Sequence, residues 1–281
     1  MLSLKIISGG DGWAIKEWNH KVNTLDIARN GAVEAGGILA DYFRNGVQMR
    51  TKSASVDLVS DADINAERAI AKIIQEAFPE HSILGEEENS GSVEAEHLWI
   101  VDPLDGTTNF AHGIPHFAVS IAYYQNGAAQ MGVVFNPITN DWYTVEKDGG
   151  AFHNDRPITV GEESELGSSV IGTGFYYDRG DVMRDTLAAI DRLFQQQIHG
   201  IRRFGTASLD LAMVATGSFA AFFEYQLSPW DFAAGKLLIE EAGGRVTTCD
   251  GAEIPIATTS VLASNGKVHQ AVRQHIQRAA A

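Results

Sequence analysis

The spacing of hydrophobic and polar positions changes about halfway along the chain. Apolar residues recur with helical spacing over residues 18–44 and 63–78, which predicts two helices in the N-terminal half. Alternating or continuous apolar runs then predict strands at 98–102, 116–125, 128–135 and 141–146. Asn126-Gly127 is a hairpin signal between two of these strands. The N-terminal half is therefore predicted to contain an antiparallel meander.

Beyond Pro157, predicted helices and strands alternate. Strands are predicted at 170–174, 201–204, 219–225, 245–248 and 261–263. Helices are predicted at 182–197, 207–216, 230–242 and from 266 to near the end. The change of pattern predicts an N-terminal half over 1–155 and a C-terminal half over 156–281, forming one compact unit. The fold class is α/β (α+β in some schemes), with layered helices and sheets.

Composition narrows the functional classes. The 281 residues carry 36 acidic and 21 basic side chains, so the formal net charge is −15. Such a field disfavours non-specific nucleic-acid binding. The longest apolar runs fall short of the roughly 20 residues that a membrane-spanning helix needs. A single cysteine, Cys249, excludes an internal disulfide framework and a cysteine-based metal site. With no secretory signal in the N-terminal residues, the expected location is cytoplasmic.

Acidic residues stand where predicted elements begin or end. They are Asp63, residues 86–88, Asp102 with Asp105, and Asp231. Each has a structural explanation: Asp63 could cap a helix, the glutamates could form a solvated loop, and Asp231 could favour a helix dipole. A cluster of oxygen donors without histidine or cysteine instead matches Mg²⁺, and two such ions can activate water and stabilise a leaving oxygen.

The stretch around Asp102 is the hardest to explain as structure alone. A turn accounts for one aspartate and a glycine, but not for an acid that closes an apolar strand. Asp102 could bridge two metal ions, with Pro103 fixing its spacing to Asp105. The following Gly106-Thr107 resembles a helix start, where free backbone N–H groups can bind a phosphate.

Four motifs resemble those of one enzyme family, the inositol monophosphatases, which are Mg²⁺-dependent, lithium-sensitive phosphomonoesterases. In chain order they are G-E-E at 85–87, D-P-L-D-G-T-T-N-F at 102–110, F-G-T-A-S-L-D-L-A-M-V-A-T-G at 204–217, and L-S-P-W-D-F-A-A-G at 227–235 with L-I-E-E-A-G-G at 238–244. The resemblance covers roughly residues 20–265. It implies a layered helix and sheet sandwich of the sugar-phosphatase type, with most metal ligands in the N-terminal half.

The resemblance also implies a set of metal ligands. Glu86, Asp102 and the main-chain carbonyl of Leu104 should hold the first Mg²⁺. Asp102, Asp105 and Asp231 should hold the second, with Asp102 shared between the two ions. Leu104 replaces the isoleucine common at its position, which should be harmless because the ligand is a carbonyl oxygen. The neighbouring Glu87 could reach a third Mg²⁺ through water, so two or three ions per site are expected.

Catalytic and substrate-binding roles follow from the same resemblance. Thr107 with Asp63 should orient the attacking water, together with Glu86, and the water attacks phosphorus directly without a phosphoenzyme. The residues implied in substrate binding are Asp105, Gly106, Thr107, Ala207, Glu224 and Asp231. Among these, the amides of Gly106 and Thr107 should bind the phosphate, and Glu224 should accept hydroxyls of the alcohol.

The expected function is Mg²⁺-dependent hydrolysis of a small phosphorylated polyol, foremost inositol 1-phosphate. Relatives with the same metal signatures hydrolyse fructose 1,6-bisphosphate, 3′-phosphoadenosine 5′-phosphate or histidinol phosphate, and these remain alternatives. A non-catalytic regulatory binding protein is a further alternative, against which stands the presence of every implied metal ligand. The resemblance implies a homodimer, and neither a nucleic-acid nor a membrane partner is expected.

Overall fold

Seven α-helices and fourteen strands form the part of the chain that the computed structural model describes, residues 23–46, 49–51, 58–177 and 179–278. The helices are α1 (Thr24–Asn45), α2 (Asp61–Ala77), α3 (Thr107–Ala111), α4 (Asp181–Phe194), α5 (Ala207–Ala215), α6 (Pro229–Glu241) and α7 (His269–Ile276). The strands are β1 (Met49–Thr51), β2 (Leu58–Ser60), β3 (Ser82–Gly85), β4 (His97–Asp105), β5 (Ala118–Gln125), β6 (Ala128–Asn136), β7 (Asp141–Glu146), β8 (Gly150–His153), β9 (Arg156–Pro157), β10 (Val170–Thr173), β11 (Gly200–Arg202), β12 (Ala221–Leu227), β13 (Arg245–Thr247) and β14 (Thr259–Ser264). Within these segments no helix is both long enough and apolar enough for a bilayer span.

The predicted meander is confirmed as part of a seven-stranded sheet. Its order is β3-β4-β5-β6-β7-β8-β9, with β3 parallel to β4 and every other neighbouring pair antiparallel. Asn126 and Gly127 both have positive φ, 50° and 75°, as the tight hairpin between β5 and β6 requires. β1 and β2 form a separate antiparallel pair.

The C-terminal elements build a second, mixed sheet of five strands in the order β11-β10-β12-β14-β13. β10 is parallel to both of its neighbours, β11 and β12. β14 is antiparallel to β12 and β13. The predicted mixed α/β class is therefore confirmed, whereas the division of the chain at residue 155 stays a prediction.

The two sheets and three helical layers alternate, because both sheets are buried on both faces. In β5, Ile121 packs against α1 and α2, while the next residue, Ala122, faces α5 and α6. In β12, Phe222 faces the same central helices and Phe223 packs toward α4 and α7. Two-sided burial is why these strands are continuous apolar runs rather than alternating ones. The order of layers is α1 and α2, the seven-stranded sheet, α5 and α6, the five-stranded sheet, then α4 and α7.

Several element boundaries differ from the sequence prediction. The first helix begins at Thr24 rather than near residue 18, because Asn23 has an extended backbone and its side chain accepts the N–H of Leu25. The last helix begins at His269, three residues after Gly266. Residues 18–22, the glycine-rich stretch 9–12 and Lys52 lie outside the described segments.

Candidate metal and phosphate site

A bulge in β4 accounts for the two aspartates that follow the buried strand. Asp102 pairs with Ser120 of β5 and Asp105 pairs with Ala118, so three steps along β4 match two along β5. In a regular strand, side chains three residues apart point to opposite faces. One extra residue brings Asp105 back to the face of Asp102, and Pro103 lies inside the bulge, where a residue without an N–H is tolerated.

A third carboxylate reaches this face from α6. One carboxylate oxygen from each of Asp102, Asp105 and Asp231 lies within 4.8 Å of the other two. Asp231 is in the first turn of α6, where its Oδ2 accepts the N–H of Ser228 at 2.7 Å. Asp102 is 1% exposed and Asp105 is 8% exposed. Three acids from the two halves of the sequence thus meet between the sheets.

Burial and mutual repulsion disfavour the charged forms of these acids. Burial raises the pKa of Asp102 well above its usual range, and the charges of Glu86, Asp105 and Asp231 raise it further. Burial likewise raises the pKa of Asp231, with added repulsion from Asp105 and Glu86. Burial raises the pKa of Asp105 to about 6, and the hydrogen bonds from Ser208 oppose this effect. A bound cation would remove this electrostatic cost.

The donor set fits a hard divalent cation. The acidic cluster contains only carboxylates, and such oxygen ligands suit Mg²⁺ better than zinc or copper. The carbonyl of Leu104 lies in the same bulge and accepts the hydroxyl of Thr107 at 3.1 Å. A carbonyl oxygen has a second lone pair, so this contact leaves it able to bind a cation.

The first turn of α5 holds Asp105 in place. Ser208 donates its backbone N–H and its hydroxyl to Asp105 Oδ2 at 2.7 and 2.6 Å, and Ala207 donates its N–H to Oδ1 at 3.3 Å. The chain can approach α5 this closely only because residue 106 is glycine. Gly106 has φ 96°, and a Cβ there would lie 2.5 Å from Oγ1 of Thr206.

A buried glutamate of α2 fixes the loop that carries Glu86. Glu67 is fully buried, and its carboxylate accepts the three backbone N–H groups of residues 87–89 and the side-chain amide of Asn89, at 2.7–2.8 Å. A Cβ at Gly85 would lie 2.5 Å from Cδ of Glu67, so glycine permits the close approach. Asp63 lies one turn earlier on α2 and is 1% exposed.

These elements enclose a cavity of about 310 Å³. Of the residues predicted to form the site, it is lined by Glu86, Asp105, Gly106, Thr107, Ala207, Glu224 and Asp231. Asp63, Asp102 and Leu104 are buried and do not line it, and neither does the half-buried Glu87. Burial raises the pKa of Glu224 to about 8, against the opposing effect of the Arg203 guanidinium.

Comparison with known proteins decides the family. A model described as the inositol monophosphatase family matches residues 20–281. The chain belongs to the inositol monophosphatase family. It is therefore a phosphomonoester hydrolase of a metal-dependent family, as the resemblance of its motifs implied.

Similar proteins cover nearly all of this family member. An inositol-1-monophosphatase of Rhizobium meliloti (strain 1021) is 44% identical over 258 residues, which are 90% of this chain and 96% of the relative. A putative Nus factor SuhB of Neisseria meningitidis serogroup B is 43% identical over 247 residues, 87% of this chain and 94% of the relative. The crystal structure of extragenic suppressor protein SuhB from Bartonella henselae has a TM-score of 0.84 and 37% identity, covering 91% of this chain and 98% of that one.

Two positioning residues of this inositol monophosphatase family member were not predicted from the sequence. Glu67 had a signal: it is an acid on the buried face of α2, in line with Ile70 and Ile74. Ser208 had none, because a serine in the first turn of a helix is ordinary. Arg203 is exposed and also lines the cavity.

Ser208→Ala is expected to weaken Mg²⁺ binding by about 10- to 100-fold, because residues that orient a metal ligand have effects of this size. The variant loses the hydroxyl bond to Asp105 while keeping the backbone one. Calorimetric titration with Mg²⁺ measures the effect. Ser218→Ala is the matched control, since Ser218 is exposed and, among the described residues, its hydroxyl has a hydrogen bond only with that of Thr216. Equal Mg²⁺ affinity in the two variants would show that the Ser208 hydroxyl does not support metal binding.

Proposed function

We propose that this enzyme hydrolyses the phosphomonoester of a small polyol, foremost inositol 1-phosphate, with Mg²⁺ as its metal. The observation that carries the proposal is the cluster of Asp102, Asp105 and Asp231, of which Asp105 and Asp231 line the same cavity as Gly106, Thr107 and Glu224. The cluster provides oxygen ligands for a divalent cation, and Glu224 provides a hydroxyl acceptor.

The metal ligands are assigned in two sets. Glu86, Asp102 and the Leu104 carbonyl would hold one Mg²⁺, and Asp102, Asp105 and Asp231 would hold a second. Glu87 would reach a third ion through water. The repulsion of Glu86 on both Asp102 and Asp231 supports its place beside the cluster. When bound, Mg²⁺ would supply an activated water and neutralise the charge that develops on the leaving oxygen.

The remaining roles belong to side chains and amides of the chain itself. Thr107 and Asp63 would orient the water toward phosphorus, with Glu86 beside them. The backbone N–H groups of Gly106 and Thr107, at the start of α3, would bind the phosphate oxygens. Thr107 lines the cavity, while Asp63 is buried in the first turn of α2 and does not line it.

The charged side chains that line the cavity favour a substrate with one phosphate over a substrate with two. Asp105, Asp231, Ala207 and Glu224 would contact the substrate, with Glu224 accepting a hydroxyl of the alcohol. Among the described residues that line the cavity, Arg203 is the one basic side chain, and Asp210 and Glu224 are the two acids that are not assigned to a metal ion. A second phosphate, as in fructose 1,6-bisphosphate or 3′-phosphoadenosine 5′-phosphate, would meet net negative charge there.

The test is phosphate release from inositol 1-phosphate, fructose 1,6-bisphosphate, 3′-phosphoadenosine 5′-phosphate and histidinol phosphate, each with and without Mg²⁺ and Li⁺. We expect Mg²⁺-dependent release, highest with inositol 1-phosphate and inhibited by Li⁺. Release without added metal after chelation would contradict the role of Mg²⁺. No release from any of the four compounds would overturn the proposed function.

We also propose a homodimer in the cytoplasm, as the family resemblance implies. Light scattering coupled to size exclusion measures the assembly, for which we expect twice the 30.4 kDa mass of the chain. A monomer at micromolar concentration would contradict this proposal without affecting the proposed chemistry.

A further inference from the structure

Asp210 is a buried acid of α5 that no role described above uses. It lies in the first turn of the helix and is 1% exposed. Its Oδ1 is buried and has no hydrogen-bond partner among the described residues. Buried polar atoms in proteins are nearly always paired, and an unpaired one costs about 1–3 kcal/mol. A carboxylate oxygen left in this state inside an enzyme requires an explanation.

The surroundings of Asp210 point toward the cavity. Asp210 lines the same cavity of about 310 Å³ as Glu224, Arg203, Asp105 and Asp231. The charge of Asp210 acts on Glu224, that of Asp105 acts on Asp210, and Arg203 influences both Asp210 and Glu224. No ion pair within 4.0 Å joins Arg203 to either acid in the described part of the chain. The Arg203 guanidinium therefore favours the charged form of Asp210 without forming a hydrogen bond to its Oδ1.

Helix capping does not explain Asp210. The first-turn N–H groups of α5 that face a carboxylate, those of Ala207 and Ser208, are already bonded to Asp105. The backbone N–H of Asp210 itself is bonded to the carbonyl of Thr206. An acid in the first turn favours the helix dipole, but it does so equally well on an exposed face.

We infer that Asp210 is a specificity-determining residue whose carboxylate accepts a hydroxyl of the substrate's alcohol part, next to Glu224. The inference rests on the proposed phosphatase function and narrows its substrate class. Two carboxyl groups in one cavity, each with oxygens that can accept a hydroxyl, select alcohols that carry several hydroxyl donors. A substrate without those hydroxyls leaves the buried acceptors unpaired and is therefore rejected.

The test compares two phosphates of the same ring, inositol 1-phosphate and cyclohexyl phosphate, which lacks the hydroxyls. With Asp210→Asn, we expect the KM for inositol 1-phosphate to rise about 10- to 100-fold, the size of a lost hydrogen bond to a charged group. kcat/KM for cyclohexyl phosphate should not fall, because this substrate has no hydroxyl that could bond to Asp210. Asp210→Ala, which removes the acceptor altogether, should lower the preference for inositol 1-phosphate further than Asp210→Asn does.

Asp191→Asn is the matched control, because Asp191 is exposed on α4. Among the described residues, its carboxylate accepts a hydrogen bond only from the side-chain amide of Gln195, the residue that follows α4. It should behave as wild type with both compounds. A structural role for Asp210 would instead lower the melting temperature and kcat/KM for both compounds equally, and that result overturns the assignment. An unchanged preference in both Asp210 variants also overturns it. A wild-type enzyme that hydrolyses neither compound overturns the proposed function itself.

Discussion

Asp102→Asn is expected to lower Mg²⁺-dependent kcat/KM by about a thousandfold while the protein stays folded. Asp102 is the one side chain assigned to both metal ions, so its loss affects both. The asparagine has nearly the same shape and keeps an oxygen that can accept the N–H of Leu104, which now bonds Oδ1 of Asp102 at 3.0 Å. The backbone of the bulge should therefore be unchanged.

The same variant should change stability in opposite directions with and without metal. Burial and neighbouring acids raise the pKa of Asp102, which means that its charge is unfavourable in the metal-free protein. Removing the charge should raise the melting temperature of the metal-free variant above that of metal-free wild type. Added Mg²⁺ should then stabilise wild type much more than the variant.

Asp191→Asn again provides the control, as an exposed aspartate with no part in the site. Circular dichroism shows whether the fold is kept, and phosphate release shows the activity. A folded Asp102→Asn protein with activity near wild type would exclude Asp102 as a metal ligand.

The metal-free protein is expected to lose stability as pH rises through about 6. The pKa of Asp105 is 3.8 in an unfolded chain and about 6 in the fold, chiefly because of burial. A raised carboxyl pKa contributes stability below the unfolded value, and this contribution is lost as pH rises through the folded value. For Asp105 alone the loss amounts to about 3 kcal/mol, and Asp102 and Asp231 shift in the same direction.

Thermal unfolding from about pH 5 to about pH 8, with a chelator and then with excess Mg²⁺, measures this effect. The chelated protein should melt about 3 °C or more lower at the higher pH, because roughly half of the Asp105 contribution is lost above pH 5, and Mg²⁺ should abolish that difference. Chelated Asp105→Asn isolates the contribution of one group, since it should lack the part due to Asp105. A chelated wild type whose stability rises steadily over this range would contradict the proposed repulsion within the cluster.

The sequence predicted most elements because their signals are local. The Asn126-Gly127 turn and the long apolar strands needed no knowledge of the rest of the chain. The missed strands β8 and β9 contain only four and two residues, and neither has a run long enough to show a period. The sequence predicts too early a start for the first helix because the apolar spacing extends to the N-terminal side of Asn23. In the structure the side chain of Asn23 caps the helix and so fixes its first residue at Thr24.

The candidate site was predictable as a set of motifs but not as a geometry. Nothing in the letters around Asp102 shows that an extra residue places it on the same face as Asp105. The bulge depends on pairing with β5, which is a contact between distant segments. Asp210 was missed for a related reason: a single acid in an otherwise apolar helix gives no sign of which neighbours it meets.

The attachment of the Glu86 loop to α2 has a mechanical consequence. Glu67 and Asp63 are four residues apart on one rigid helix, so the loop and Asp63 keep a fixed separation whenever the helix moves. A small displacement of α2 against the sheet would carry the Glu86 loop and Asp63 together. When α2 moves, the Glu86 loop and Asp63 would thus move as a pair, and the distance between them would stay the same.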